Sequence, residues 1–286
     1  MMVPKGKLIA IGGNVDKGTD PEGAISFNTL NFFEFGILQR ILSESKGKNS
    51  RIEVITTASM IPAEVGAGYL EAFARLGCHN VGVIHVRNRA DTGVPEYHDR
   101  LKKCDGVMFT GGNQLRLSTI WGGTDLFSII KDRYWNDNFM IAGTSAGAMA
   151  MSNTMIYEGD SADALLKGAV KITTGLALIK NVIIDTHFDK RGRFGRLAQA
   201  VASNPGCIGL GLGEDTGVLI NGGNYLETIG SGMVLIFDGH KIQHNTIADL
   251  PEGFPISIEN LVVHVMAKGY GFDVAKRKFL AQAEVI

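Results

Sequence analysis

The stretch "IAGTSAGAMAMS" (residues 141–152) is the one to read first, because it marks where a strand ends and a helix can begin. An apolar run breaks at Gly143-Thr144-Ser145-Ala146-Gly147 and resumes as small residues that suit a helix. A strand that turns straight into a helix, with G-x-S-x-G across the junction, is the pattern of a nucleophile elbow. The serine of such a turn sits in strained backbone, so its neighbours two residues away must be glycine or very small. The turn lifts Oγ above the sheet, aims the Ala146 N–H at the place where an oxyanion would form, and adds the partial positive charge of a helix N-terminus. In a chain with 37 glycines the bare pentapeptide can arise by chance, so the strand before it and the helix-compatible run after it carry the weight. Thr144 and Ser152 lack the central position and read as structural.

Working outward, near-continuous apolar runs recur at "KLIAIGG" (7–13), "RIEVITTAS" (51–59), "VGVIHV" (81–86), "GVMFTGG" (106–112) and "FMIAG" (139–143). Strands covered on both faces look like this. Between them lie helical patterns: Phe32, Phe35, Leu38, Ile41 and Leu42 share one face of residues 31–45, and Leu70, Phe73 and Leu76 recur at helical spacing before Gly77. Strand alternating with helix implies right-handed crossovers and a parallel sheet. After Ser145 the order changes. Residues 181–188 read as a strand, 193–204 as a helix and 207–215 as a strand, and 216–239 read as antiparallel ribbons. Without a linker or repeat, residues 1–286 are expected to form a single α/β domain.

Three runs end in Gly-Gly-Asn, at 12–14, 111–113 and 222–224. The first and third read as tight turns, the third as a hairpin turn. None fits G-x-G-x-x-G, so no dinucleotide cofactor is expected. A net charge of -1 gives no reason to expect a nucleic-acid or membrane-surface partner. The N-terminal stretch lacks the apolar core of a secretory signal and no run is long enough to span a bilayer, so a cytoplasmic location is expected. Cys78, Cys104 and Cys207 are far apart and read as free thiols, with neither a disulfide framework nor a metal site indicated.

A serine hydroxyl needs a base. Of seven histidines, His187 stands out because it closes the apolar strand "VIIDTH" between Asp185 and Asp189. Functional residues of open α/β sheets gather at such strand ends. The orienting acid should also close a strand, and "LGLGED" offers Glu214 and Asp215 equally. Glycines at 209, 211 and 213 imply that something bulky approaches that strand. The resulting order, Ser…His…acid, differs from the Ser…acid…His of α/β-hydrolases. An esterase of that type would need an acid such as Asp185 or Glu214 and a late histidine such as His264, which lies inside the apolar run "NLVVHVMA".

"FTGGNQLRL" (109–117), "GTSAGAMAMS" (143–152), "DTHFDKRGRFGRL" (185–197) and "GLGEDTGVLI" (211–220), in this order, resemble the cyanophycinases, serine hydrolases related to the aspartyl dipeptidase peptidase E. The likeness runs from about residue 7 to 265. It implies a doubly wound, mostly parallel sheet similar to the class I glutamine amidotransferases, with the elbow between strand and helix and antiparallel strands towards the C-terminus. It implies Ser145 as nucleophile, His187 as base and Glu214, rather than Asp215, as acid. It further implies an oxyanion hole around Gly112, Asn113 and Ala146, and Gln114 lining a substrate cleft. Asp185, Arg191, Arg193 and Arg196 fall on a block that contributes to substrate binding. Thr186, where glutamine is expected, and Asp215 depart from the family pattern and leave details of the pocket open. No metal or organic cofactor is implied, and a homodimer is common among such relatives. The implied substrate is cyanophycin, a poly-aspartate backbone with arginine amide-linked to each side chain, cut to β-Asp-Arg dipeptides. Its arginyl carboxylates would meet guanidinium forks and its guanidinium an acid such as Asp185. Arginines at 191, 193 and 196 cannot share one helical face, so the first two are expected on a loop. The rival readings are a peptidase E-like Asp-Xaa dipeptidase, the esterase, and a binding protein that kept the fold without activity.

Overall fold

The computed structural model describes residues 3–19 and 30–281. The runs of the N-terminal half become β1 (Lys7–Ile11), β2 (Ile52–Ile55), β3 (Val81–Ile84), β4 (Gly106–Phe109) and β5 (Met140–Thr144), all parallel, in the order β1-β5-β4-β2-β3. Alternation sends successive side chains to opposite faces. In β1, Leu8 and Ala10 enter one core, with Trp121, Phe127 and Ile130 from the helices Gln114–Trp121 and Asp125–Asn136. Ile9 and Ile11 enter the other, with Leu38, Ile41, Tyr69 and Phe73 from the helices Ile37–Ser43 and Pro62–Arg75. Both faces of the sheet are therefore covered, which is why its strands are mainly apolar, with Glu53 of β2 buried in an ion pair with Arg100.

After β5 the chain leaves this pattern. It forms a two-stranded ribbon, β6 (Thr154–Glu158) and β7 (Lys171–Thr174), and then lays β8 (Val182–Asp185) parallel to β9 (Ile208–Leu212) in a second sheet. It returns to the first sheet with β10 (Thr216–Asn221) and β11 (Tyr225–Gly230), where Gly222 and Gly223 have φ of +58° and +67° in the hairpin turn. Next come β12 (Val234–Asp238) and β13 (Val262–Met266) of the second sheet, then β14 (Gly271–Asp273) and β15 (Lys278–Leu280) of the first. The main sheet thus has nine strands, β15-β14-β11-β10-β1-β5-β4-β2-β3, and the second has four, β13-β12-β9-β8. This is the α/β architecture expected, parallel in its first half and, apart from the parallel pair β8–β9, antiparallel in its second.

Three details differ from the sequence reading. The helix over 31–45 breaks at Gly36 into Phe32–Phe35 and Ile37–Ser43, which turns Phe35 out to solvent while Phe32, Leu38, Ile41 and Leu42 stay buried. In the helix Pro62–Arg75 the buried stripe is Gly66, Tyr69 and Phe73, continued by Leu76, and Leu70 lies on its exposed flank. The β6–β7 ribbon has no apolar run long enough to announce it. The glycines of β9 behave as expected: a Cβ at Gly209 would collide with Val201 and Leu197 of the helix Phe194–Ser203, and one at Gly211 with the Phe188 ring. No helix among the described residues is long and apolar enough to cross a membrane.

Candidate active site

Ser145 caps the end of β5 with φ +52° and ψ −116°, far from any region a non-glycine residue prefers, and the helix Ala146–Met149 begins directly after it. Such a conformation costs on the order of 1–3 kcal/mol. The flanking glycines are steric necessities. A Cβ on Gly143 would lie 2.6 Å from the backbone of Gly147, and one on Gly147 would overlap the carbonyl of Phe109. The Ser145 N–H donates to the Ile11 carbonyl at 2.9 Å, which ties the elbow to the end of β1.

His187 and Glu214 come from the neighbouring parallel strands β8 and β9 of the second sheet, each just past the strand's C-terminal end. His187 Nε2 lies 3.0 Å from Ser145 Oγ, and His187 Nδ1 lies 2.7 Å from Glu214 Oε1. A carboxylate only accepts hydrogen bonds, so Nδ1 carries the proton and Nε2 is left to accept from the serine hydroxyl. The line has the order and reach that proton abstraction requires. Burial pushes the Glu214 carboxyl up, but hydrogen bonds from His187 and Asn14, aided by the charges of His187 and Lys190, hold it below its ordinary value. Glu214 is therefore an acceptor throughout the neutral range. Its neighbour Asp215 faces the other way: Oδ1 accepts the Asp16 N–H at 3.0 Å and Oδ2 the Ser231 hydroxyl at 2.9 Å.

The tripeptide Gly12-Gly13-Asn14, expected as a tight turn, only bends at Gly13, and its groups meet the site instead. The Gly12 carbonyl accepts the His187 N–H and the Gly13 carbonyl accepts the Asp215 N–H, both at 2.8 Å. Gly13 has φ +120°, and a Cβ there would overlap the His187 imidazole. Asn14 (φ +45°) donates from Nδ2 to Glu214 Oε2 at 2.8 Å. The sequence carries one signal for this, the recurrence of Gly-Gly-Asn at strand ends, but turn propensity explains that tripeptide without any site.

The second Gly-Gly-Asn also reaches the elbow. A Cβ on Gly111 would stand 3.3 Å from that of Ser145, and Gly112 (φ +137°) leaves no room for a side chain against the Ala58 carbonyl. Of the three residues expected around an oxyanion, Asn113 is differently employed. Its N–H donates to the Ala58 carbonyl at 3.0 Å, and its side chain caps the next helix through the Leu115 and Arg116 N–H groups. Among the described residues the N–H groups of Gly112 and Ala146 meet no backbone acceptor. Gln114 donates from Nε2 to the carbonyls of Ile156 and Tyr157, which joins the helix start to β6 and leaves its oxygen as an acceptor.

The arginine block corrects a second expectation. Asp185 is fully buried and already holds two guanidinium groups: Arg196 through Nε at 2.8 Å and through Nη2, and Arg193 through Nη1 at 3.1 Å. It has no surface to offer a substrate guanidinium. Thr186 is buried as well; its N–H donates to Asp185 at 2.8 Å and its carbonyl accepts from Arg193 at 2.7 Å. Burial pushes the Arg193 guanidinium down to about 10, the Asp185 charge opposing and the Arg196 and Arg191 charges adding to the shift. Arg191 and Arg193 sit on the turn before the helix Phe194–Ser203, and Arg191 is exposed. Together with Lys171 they line a cleft of about 750 Å³, to which Glu158, Asp160 and Asp163 also contribute, Glu158 as the cross-strand partner of Lys171. His264 lies far from such chemistry, on β13 with its ring 5.7 Å from that of Phe272 and 6.0 Å from that of Phe279. An arrangement of the α/β-hydrolase kind finds no histidine there.

Comparison with known proteins supplies the context. Residues 19–228 match the model of peptidase family S51. The chain is 34% identical over 244 residues to a cyanophycinase of Trichormus variabilis, covering 85% of this chain and 82% of that one. It is 32% identical over 265 residues to a cyanophycinase of Synechococcus elongatus, covering 93% and 78%. Among solved structures, a peptidase from an acI-B1 actinobacterium superposes with a TM-score of 0.66 at 20% identity, covering 96% of this chain and 98% of the other. A putative peptidase E protein from Listeria monocytogenes gives 0.51 at 17% identity, covering 78% and 98%. At these identities the two structures speak for the fold alone.

Three outcomes are expected. Gly13→Ala should displace the imidazole and lower kcat by about 10²-fold, because misplacing a catalytic group by ~1 Å costs that much; a variant that folds and turns over at the wild-type rate would refute the packing argument. Asp185→Asn should destabilise the protein by about 3–5 kcal/mol in urea denaturation, since it strands the buried Arg196 and half-buried Arg193 guanidinium groups. Burial raises the Asp215 carboxyl above its ordinary value, with the Asp16 N–H and Ser231 hydroxyl opposing and the Asp16 charge adding to the rise. A carboxyl raised in the fold penalises folding once it ionises, so the penalty is absent below the unfolded value, about 4, and grows as pH climbs through the folded one. Asp215→Asn should therefore melt higher than wild type at neutral pH, with the difference shrinking as pH falls, as melting curves across pH would reveal.

Proposed function

The chain belongs to peptidase family S51 and is a serine-type peptidase; from that premise we propose that it hydrolyses the poly-aspartate backbone of cyanophycin to β-Asp-Arg dipeptides. The observation that carries the reaction is the continuous hydrogen-bonded line from Ser145 Oγ through His187 to Glu214. The observation that favours the substrate is the identity of 32–34% to cyanophycinases over most of the chain. In this reading Ser145 attacks the backbone carbonyl between two aspartates as His187 Nε2 takes its proton. The oxyanion develops between the Gly112 and Ala146 N–H groups, and the helix N-terminus beneath adds to their field. The imidazolium, held by Glu214, returns the proton to the leaving amine. Water then repeats the sequence on the acyl-enzyme and frees Ser145.

The cleft beside the histidine loop suits the branches of this polymer. Each arginyl branch ends in a free carboxylate and a guanidinium, and the cleft offers Arg191 and Lys171 to the first and Glu158, Asp160 and Asp163 to the second. Asp185 takes no part in this contact, because its charge is used inside the protein.

Incubation of the purified chain with cyanophycin granules should release β-Asp-Arg, identified by mass. Ser145→Ala should lower the rate by about 10⁶-fold, to background. Cleavage of Asp-Xaa dipeptides with granules left intact would replace this reading by that of a peptidase E-like dipeptidase. No cleavage of either, with Ser145 inert to a serine-directed probe, would leave a binding protein.

A further inference from the structure

We propose that Asn14 is a positioning residue for the Ser145–His187–Glu214 line, a role that rests on the hydrolase reading. Glu214 follows β9 on a turn, and 23% of its side chain is exposed. A carboxylate so placed can rotate and withdraw Oε1 from the imidazole unless its second oxygen is held. Asn14 holds it, through Nδ2 to Oε2 at 2.8 Å, while Oε1 accepts from His187 Nδ1 at 2.7 Å.

Position 14 has to meet two demands together. Its backbone is left-handed, at φ +45°, directly after Gly13 at φ +120°. Its side chain must also present a donor close to the main chain. Asparagine tolerates that backbone and carries an amide of that length. Glycine meets the first demand alone and glutamine the second alone, and aspartate brings a second carboxylate to Glu214. A neutral donor matters as well, since a lysine here would neutralise the charge that must stabilise the imidazolium. Donor and acceptor are also tied through the backbone: Gly13 accepts the Asp215 N–H, and the Asp16 N–H donates to Asp215. Residues 11–14 therefore address the site in succession. The Ile11 carbonyl holds the Ser145 N–H, the Gly12 carbonyl the His187 N–H, bare Gly13 the face of the imidazole, and Asn14 the acid.

The test compares Asn14→Gly, Asn14→Asp and Glu214→Gln with wild type. It uses kcat and KM on dissolved cyanophycin, the rate at which a fluorophosphonate modifies Ser145, and the low-field proton signal of His187 Nδ1–H. Asn14→Gly suits the backbone, so it should melt close to wild type and keep its KM. Its kcat and labelling rate should fall about 10-fold, in the range seen when outer partners of functional groups are removed, and the low-field signal should weaken. Asn14→Asp should lose more than Asn14→Gly, because it repels the carboxylate. A glycine variant labelled at the wild-type rate, one altered in KM alone, or glycine and aspartate variants that behave alike would each overturn the role of Asn14. If Glu214→Gln is also labelled at the wild-type rate, the Ser–His–Glu line itself fails and the proposal with it. Labelling rates that fall in this order, in a protein that leaves cyanophycin uncut, would overturn the substrate and uphold Asn14.

Discussion

The end of β1 is where the two sheets of this protein are joined. β1 lies inside the nine-stranded sheet, between parallel β5 and antiparallel β10, and its register is set by both. The serine belongs to that sheet, whereas the histidine and the glutamate come just after strands of the other. Nothing in either sheet by itself fixes the distance between them. Hydrogen bonds from the N–H groups of Ser145, His187 and Asp215 to the carbonyls of Ile11, Gly12 and Gly13 do so. Because backbone spacing is covalent, consecutive carbonyls act as a ruler, and three groups from remote parts of the chain are spaced by one short segment.

That arrangement carries a conformational cost. Asn14, Ser145, His187 and Asp215 all have positive φ, between +43° and +52°. Asparagine, aspartate and histidine enter the left-handed region more readily than most residues, so three of the four positions are mildly strained. Ser145, with ψ −116°, is the severe case. Strain of this kind persists only where the surroundings over-determine the backbone. Here the buried strand β5 enters the elbow from one side, and the four residues Ala146–Met149, all buried, leave it on the other. The small side chains of that segment allow the close approach that such a turn requires.

These distinctions set what can be read from the sequence. The pattern of strand ends offers Glu214 and Asp215 equally, and the family resemblance alone chooses Glu214. Ser145 and His187 are legible because each closes an apolar run, and strand-end chemistry is a property of the pattern. The doubly covered parallel sheet is legible for the same reason. The partition of strands between two sheets is not, because β8 and β9 are as apolar as the strands of the main sheet and pairing depends on contacts distant along the chain. Asn14 is hidden by a plainer explanation: Gly-Gly-Asn reads as a tight turn, which it forms at residues 222–224, whereas at 12–14 the chain only bends at Gly13. Periodicity misplaces Phe35 and Leu70 because helix breaks and flank positions shift a stripe by one residue. The break at Gly36 comes from a glycine in extended conformation there, at φ −63° and ψ +150°.

Asp185 shows how burial decides between a ligand and a strut. By charge alone, an aspartate among arginines can serve a cationic substrate or its own neighbours. A carboxylate withdrawn from water must be paired where it stands, and Asp185 is paired twice over, to Arg193 and Arg196. The Arg193 guanidinium also grips the carbonyl of Thr186, one residue before the histidine, so the ion cluster stiffens the loop that carries His187. Arg196 is spent in the same cluster and reaches the carbonyl of Gly159 besides, at the edge of the charged cleft. The block "DTHFDKRGRFGR" therefore divides its charges by depth: Asp185, Arg193 and Arg196 are tied together beneath the loop that carries the histidine, and Lys190 and Arg191 lie exposed at the surface. A motif that reads along the chain as one element is thus two in space, a buried ion cluster and an exposed pair of cations.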